Sequence, residues 1–192
     1  MSPRIGLDMN TILKTAAEIA DENGIESVTL TTLAKKLKIR PPSLYNHFDG
    51  LNGLRMKLAV YGLEQLRNRL IRSVIGLSGD DAVRAFAKEY VAFAREHPGL
   101  YEATLRAPDT GQPALRHAAE EVVDLVVRVF NHYGLENEMA IHAVRGIRSL
   151  LHGFASLEQK GGFGIPLDLD ESLHLMIDTF LAGLRTMQQN HR

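Results

Sequence analysis

Between Lys35 and Phe48 the chain concentrates side chains that can hold a polyanion and read it. Lys35, Lys36, Lys38 and Arg40 place four cations within six residues, and Ser43, Tyr45, Asn46 and His47 follow directly. An Arg guanidinium donates in a fixed fork that matches guanine or clamps a phosphate, and an Asn amide pairs with adenine in the same two-pronged way. Tyr and His suit phosphate oxygens, which position a protein on a duplex without specifying its sequence. Thr29, Thr31 and Thr32, just upstream, can add hydroxyl contacts to phosphate near the positive end of a helix. A charge run by itself is most often a solvated helix face. The reading therefore depends on the elements that carry these residues.

Apolar spacing supplies those elements. Ile12, Leu13, Ala16, Ala17 and Ala20 recur at helical intervals, with Asp8 or Asn10 to cap the start and Gly24 to stop the helix. A second helix follows Thr29 as N-cap, with Leu30, Leu33, Ala34 and Leu37 inward. A third begins near Pro41 and Pro42, which a first turn tolerates because its amides have no intrahelical partner. Leu33, Ala34, Leu37, Ile39, Leu44 and Phe48 then form a shared interior. Ser43, Asn46 and His47, with Tyr45 and the Pro41-Pro42 edge, remain on or near the outside. This is the layout of a helix-turn-helix, whose second helix projects side chains at base edges.

The rest of the chain continues in helices. One runs from about Leu51 to Ile75 and stops at Gly76. Another is capped by Asp80 or Asp81 and ends at His97-Pro98-Gly99, and a short one, Leu100–Arg106, leads into the loop APDTGQP. Further helices span about Pro113–Tyr133 and Asn137–Lys160, and the last runs from a cap at Asp170 to about Gln189. No useful strand alternation interrupts them, so the expected fold is all-α with about nine helices. The net charge of −1 hides an asymmetry: residues 1–57 carry eight Lys/Arg against six Asp/Glu, and the remainder fourteen against seventeen. The excess of cations lies where the reading helix lies.

Residues 8–66 resemble the DNA-binding domain of the tetracycline-repressor (TetR) family of transcriptional regulators. The resemblance is carried by ILKTAAEIADENG, VTLTTLAKKL and PPSLYNHF, which occur together at the right separations. It implies a homodimer that reads a roughly palindromic operator with one recognition helix per subunit. Thr31, Pro41, Pro42, Ser43, Tyr45 and His47 sit where the family touches DNA, and Arg40 and Asn46 occupy more variable positions that contribute to operator choice. Two departures stand out. Lys38 replaces the Gly usual in the turn, which costs roughly 1 kcal/mol if that residue is left-handed. Leu51 replaces a usual Lys and removes one phosphate contact, with Lys57 or Arg55 as partial substitutes.

Residues 80–187 form the expected second domain. GIRSLLHGFASLEQKGGFGIPLDLDESLHLMIDTFLAGL, together with REHPGLYE, resembles the WHG-type class of TetR-family C-terminal domains. That resemblance implies an interior cavity for a small effector and a four-helix dimer interface made by the last two long helices of each subunit. The spacing of Leu150, Phe154 and Leu157, and of Leu173, Ile177, Phe180 and Leu184, suits such an interface; it also suits a wholly intramolecular core. Tyr61, Leu66, Phe86, Tyr90, Phe93, Tyr101, Leu105 and Val129 are placed to surround the cavity, although most residues of this kind are ordinary core. A polar stripe of His142, Arg145, Ser149, His152 and Ser156 can orient a polar or anionic head group, with Arg145 and His152 as its candidate ligand contacts. Solvent exposure, or a polar seam at the dimer contact, suits the stripe equally.

Other function classes find little support. The chain has no cysteine, which excludes disulfides and thiolate metal sites. No apolar run approaches the ~20 residues that span a bilayer, and MSPRIGLDMN has no apolar leader core; the expected location is the cytoplasm. HExxH, GxSxG, P-loop and dinucleotide fingerprints are all missing from the sequence. The one ExxH, Glu171 to His174, falls short of the paired motifs of a di-iron site. The pairs Glu138/His142 and His117/Glu121 are commoner as surface helix neighbours than as chelates. Neither catalytic residues, metal nor cofactor is expected. The expected function is a DNA-binding transcriptional regulator, more a repressor than an activator, with duplex DNA, a second copy of itself and a small-molecule effector as partners. The rival is a helix-turn-helix regulator without a small-molecule effector, controlled by a protein partner.

Overall fold

The cap residues decide where each helix starts. In the computed structural model, which describes residues 8–106 and 111–190, Asp8 opens α1 (Met9–Asn23) by accepting the Thr11 amide at 2.9 Å and the Thr11 hydroxyl at 2.6 Å. These bonds favour the carboxylate, hold the Asp8 carboxyl below its ordinary range and satisfy an amide that has no partner in the helix. Gly24, at φ 81°, closes α1 with its amide on the Ala20 carbonyl. α2 (Leu30–Lys36), a 3-10 helix at Pro41–Asn46, α3 (Gly50–Val74), α4 (Gly79–Glu96) and α5 (Pro98–Leu105) follow. The chain continues with α6 (Pro113–Phe130), α7 (Asn137–Gln159) and α8 (Leu169–Asn190). Short 3-10 turns at Ile25–Ser27 and Asn131–Tyr133 complete the order. Among the described residues there is no strand, and the eight α-helices with Pro41–Asn46 make up the nine expected. The start of the chain and most of the loop APDTGQP lie outside the described residues.

Two caps differ from expectation. Asp168, not Asp170, opens α8: its Oδ1 accepts the amides of Asp170 and Glu171 at 2.8 and 3.0 Å. α4 begins at Gly79, so Asp80 and Asp81 fall in its first turn rather than at the cap. Asp80 is turned to other work, accepting the Tyr133 hydroxyl at 2.6 Å and pairing with Arg185.

The chain divides into two compact units, one drawn from Met1–Gln65 and Glu96–Ala118, the other from Leu66–Arg95 and Ala119–Arg192. In the first, Ile12, Ala16, Leu33, Leu44, Leu54 and Leu58 are buried to the last per cent or less, and burial of such side chains is the main stabilising term. α5 belongs to this unit and docks on the end of α1. Asp21 accepts the Leu100 amide at 2.8 Å and lies 2.9 Å from His97 Nδ1, which fixes the first turn of α5. Gly99 lies so close to α1 that an added Cβ would sit 2.0 Å from the Ala20 carbonyl oxygen.

In the second unit Phe93, Phe130, Ile147, Leu151, Ile177 and Leu181 fill the interior. Arg95 joins α4 to α7 and α8 through Glu158 at 2.9 Å and Asp170 at 2.7 Å, and Arg84 reaches Asp178 on α8 at 2.8 Å. Such half-exposed pairs fix register more than they add stability.

Candidate nucleic-acid interface

Thr29 and Thr32 build the entrance to α2. The Thr29 hydroxyl meets the Thr32 amide at 3.1 Å, and the Thr32 hydroxyl meets the Thr29 amide at 3.0 Å. This reciprocal cap satisfies two amides that α2 leaves open. It also commits Thr29 to its own helix, whereas Thr31 keeps an exposed hydroxyl.

The turn out of α2 depends on Lys38, which adopts φ 56°. Its amide bonds the Lys35 carbonyl at 3.1 Å, and the Ile39 amide bonds the Ala34 carbonyl at 3.0 Å. This nested pair is the Schellman ending, which places its left-handed residue just past the helix. Lys38 is thus left-handed, on a residue that has a Cβ, which meets the condition for the strain considered in the turn.

Arg40 leaves the turn extended, at φ −83° and ψ 138°, as a residue before proline must. The next six residues form a 3-10 helix rather than an α-helix, and it ends at Asn46, before Phe48. Three residues per turn stack Pro42 with Tyr45 and Ser43 with Asn46, while His47, just past its end, follows the row of buried Leu44. The exposures follow this arrangement: Tyr45 is 61% exposed, Pro41, Pro42, Ser43 and Asn46 are exposed, and His47 is half-buried. Leu44 and Phe48 anchor the segment beneath them. Arg40, Pro41, Pro42, Ser43, Tyr45 and Asn46 therefore share one solvent-facing surface, with His47 at its edge.

The cations do not all remain available. Lys36 lies 3.0 Å from Glu22 and 3.5 Å from Glu18, and the Glu22 hydrogen bond leads in raising its pKa. Lys35, Lys38 and Arg40 stay exposed. Of the two substitutes for a lysine at position 51, Arg55 is held by Glu26 at 2.7 Å. Lys57 is exposed, with its Nζ 5.7 Å from the Phe48 ring centre. Lys57 is thus the substitute that has no carboxylate partner among the described residues.

The other site residues scatter. Tyr61, half-buried, and Tyr101, buried, belong to the first unit; burial, then Glu18 and Glu64, raises the Tyr61 phenol pKa above its ordinary value. Phe86, Tyr90 and Phe93 are buried in the second unit. Arg145 is exposed and His152 half-buried on α7. The second unit has a cleft of about 300 Å³ lined by Arg84, Lys88, Asp170, Leu173, His174 and Ile177, and a larger one beside α6; of the residues expected to surround a cavity, Val129 lines the larger and none lines the smaller. Among the candidate interface residues, Phe154, Leu173, Ile177 and Leu184 are buried inside their own chain. Leu150 and Phe180 are half-buried, Phe180 against the Phe130 ring at 6.1 Å, and Leu157 stays 51% exposed. Ile165 and Leu167, in the connection between α7 and α8, are the more exposed apolar residues there. No cluster of metal-ligating side chains occurs among the described residues, and no described helix is long and apolar enough to cross a membrane.

Docking of α5 on α1 was not legible, because His97-Pro98-Gly99 reads in the sequence only as a helix stop. The signal was the glycine: a Gly at the second position of a helix after proline allows another backbone to approach closely.

Comparison with known proteins agrees with this geometry. Residues 12–54 match the family described as bacterial regulatory proteins, tetR family, and residues 83–180 match the tetracyclin repressor-like C-terminal domain. The uncharacterized HTH-type transcriptional regulator YobS of Bacillus subtilis (strain 168) is 45% identical over 191 residues, covering 99% of both chains. A protein of unknown function from Rhodococcus sp. RHA1 shares the fold with a TM-score of 0.83 at 22% identity, covering 96% of this chain and 100% of that one. A TetR variant of Acinetobacter baumannii AYE in complex with minocycline superposes with a TM-score of 0.70 at 22% identity, covering 95% and 98%.

Proposed function

This chain belongs to the tetR family of bacterial helix-turn-helix transcriptional regulators, and from that premise we propose that it is a repressor whose homodimer holds a palindromic operator until a small molecule releases it. The observation that carries the reading is the exposed surface of Arg40, Pro41, Pro42, Ser43, Tyr45 and Asn46, fixed from below by buried Leu44. Arg40 and Asn46 read base edges; Tyr45, His47, Thr31 and Lys57 hold phosphates. Thr29 acts by capping α2, so its contribution to DNA binding is positional.

Residues 8–66 are the DNA-binding domain in this reading, and 80–187 the domain that dimerises and takes the effector. We assign the latter to the WHG-type class on its GFASLEQKGGFGIPLD segment. α3 starts in the first unit and ends in the second, so a ligand that favours one setting of α3 changes the spacing of the two reading helices. Half-sites on DNA lie about one helical turn apart, and small changes in spacing cost contacts on both sides. Coupling is reciprocal: an inducer that weakens DNA binding binds the DNA complex less tightly itself. The minocycline bound by the Acinetobacter neighbour supports a small-molecule effector here. The working compartment is the cytoplasm, where the operator is.

Selection of bound duplexes from a randomised pool tests the reading. A two-fold symmetric motif, bound by a protein that light scattering finds dimeric, is the expected result. A monomer, or a pool without enrichment, contradicts it.

A further inference from the structure

The larger cleft of the second unit, about 480 Å³ in volume, has a one-sided chemistry. Val74, Leu77, Leu125 and Val129 give it an apolar lining, the exposed Arg128 and His132 stand at its rim, and no carboxylate lines it. Its volume falls in the range of small-molecule sites, which pair an apolar lining with a few placed polar groups.

The rim cation is uncommitted. In this unit Arg67, Arg69, Arg84, Arg95 and Arg185 each pair with a carboxylate. Arg128 has no ion pair or hydrogen bond among the described residues, although Asp124 lies one turn behind it on α6. Its guanidinium is left to donate its two parallel N–H groups outward. A carboxylate is the group that geometry fits.

The second rim group is held in place. The His132 ring lies edge-on to Tyr133 with centres 5.5 Å apart, and Tyr133 is itself fixed by its hydrogen bond to Asp80. The ring also meets Gly79, where an added Cβ would approach it to 3.1 Å and where φ is 55°. Glycine at that position serves both the backbone and the seat of the imidazole.

We propose that this cleft binds an amphipathic carboxylate, its head group on Arg128 with His132 as a second donor, and its apolar body on Val74, Leu77, Leu125 and Val129. Binding stands on the cleft alone; its service as the effector site rests on the regulator reading above.

Calorimetric titration of the full chain with sodium decanoate, and with 1-decanol as the uncharged probe, tests the inference. Saturable binding that prefers the acid by about tenfold or more is expected, the usual worth of a charge-assisted hydrogen bond. Arg128→Gln, at an exposed position, keeps the fold by circular dichroism and erases that preference. Failure of decanoate to bind saturably, or an acid preference that survives in R128Q, overturns the proposal. Decanoate added to the protein–operator complex separates the two readings. Release of DNA supports both; binding without release overturns the effector role and leaves the site standing. A protein that binds no operator before decanoate is added overturns the regulator reading instead.

Discussion

Lys38 stands at φ 56° with its amide 3.1 Å from the Lys35 carbonyl, and this one hydrogen bond helps turn the chain from α2 into the Pro41–Asn46 helix. The Pro41–Asn46 helix is aimed by a residue in a conformation its Cβ opposes. Relief of that strain gives the first prediction. Lys38→Gly removes roughly 1–2 kcal/mol of left-handed strain but adds unfolded-state freedom, for a net gain of about 0.5–1 kcal/mol. Urea denaturation should show a higher midpoint with an unchanged slope. A midpoint at or below that of the parent would mean that the turn carries no strain.

Gly99 gives the second. A methyl group there would lie 2.0 Å from the Ala20 carbonyl oxygen, so α5 must leave α1 or α1 must shift. Gly99→Ala should destabilise the protein by more than about 2 kcal/mol, at the upper end of overpacking costs. Thermal unfolding measures this; a parental melting temperature would show that the approach of the two helices is looser than described.

Asp8 gives a pH dependence. Its folded pKa lies below the ordinary carboxyl value, mainly because the Thr11 hydroxyl and amide bond the carboxylate. A depressed carboxyl contributes stability that is fully present above its unfolded value and is lost as pH falls through the lowered folded value. The stability difference between the parent and Asp8→Asn should therefore be constant from neutral pH down to about 5 and shrink below about 4. A difference that grows on acidification would reverse the sign of this account.

Lys57 and Arg55 should separate in salt titrations. Lys57 is exposed with no carboxylate partner among the described residues, and Arg55 is paired with Glu26. Lys57→Ala should weaken operator binding and lower the slope of log affinity against log salt by about one. Arg55→Ala should leave that slope unchanged. Equal slopes for Lys57→Ala and the parent would remove Lys57 from the contact surface.

Local chemistry was readable along the chain, and distant packing was not. The caps at Asp8 and Thr29 and the stop at Gly24 follow from interactions within four residues, which sequence displays directly. Apolar spacing at Phe154, Leu173, Ile177 and Leu184 says that a face is covered but not by what; the cover here is the chain's own core. Aromatic residues at Phe86 and Phe93 are core for the same reason, whereas the uncommitted cation at the large cleft is Arg128, which periodicity on α6 marks only as a polar-face residue. The 3-10 winding of Pro41–Asn46 was also hidden, since prolines in a first turn suit either helix.

The central claim is that the surface carried by Arg40 and Tyr45 reads DNA. Its most direct test is the affinity of Arg40→Ala and Tyr45→Ala for the selected duplex, measured by fluorescence anisotropy at fixed salt, with folding checked by circular dichroism. Both residues are exposed and serve no core. Each variant should fold as the parent does and bind the duplex about tenfold more weakly or worse, in keeping with ~1–3 kcal/mol for a good base contact. Parental affinity in both variants would contradict the central claim.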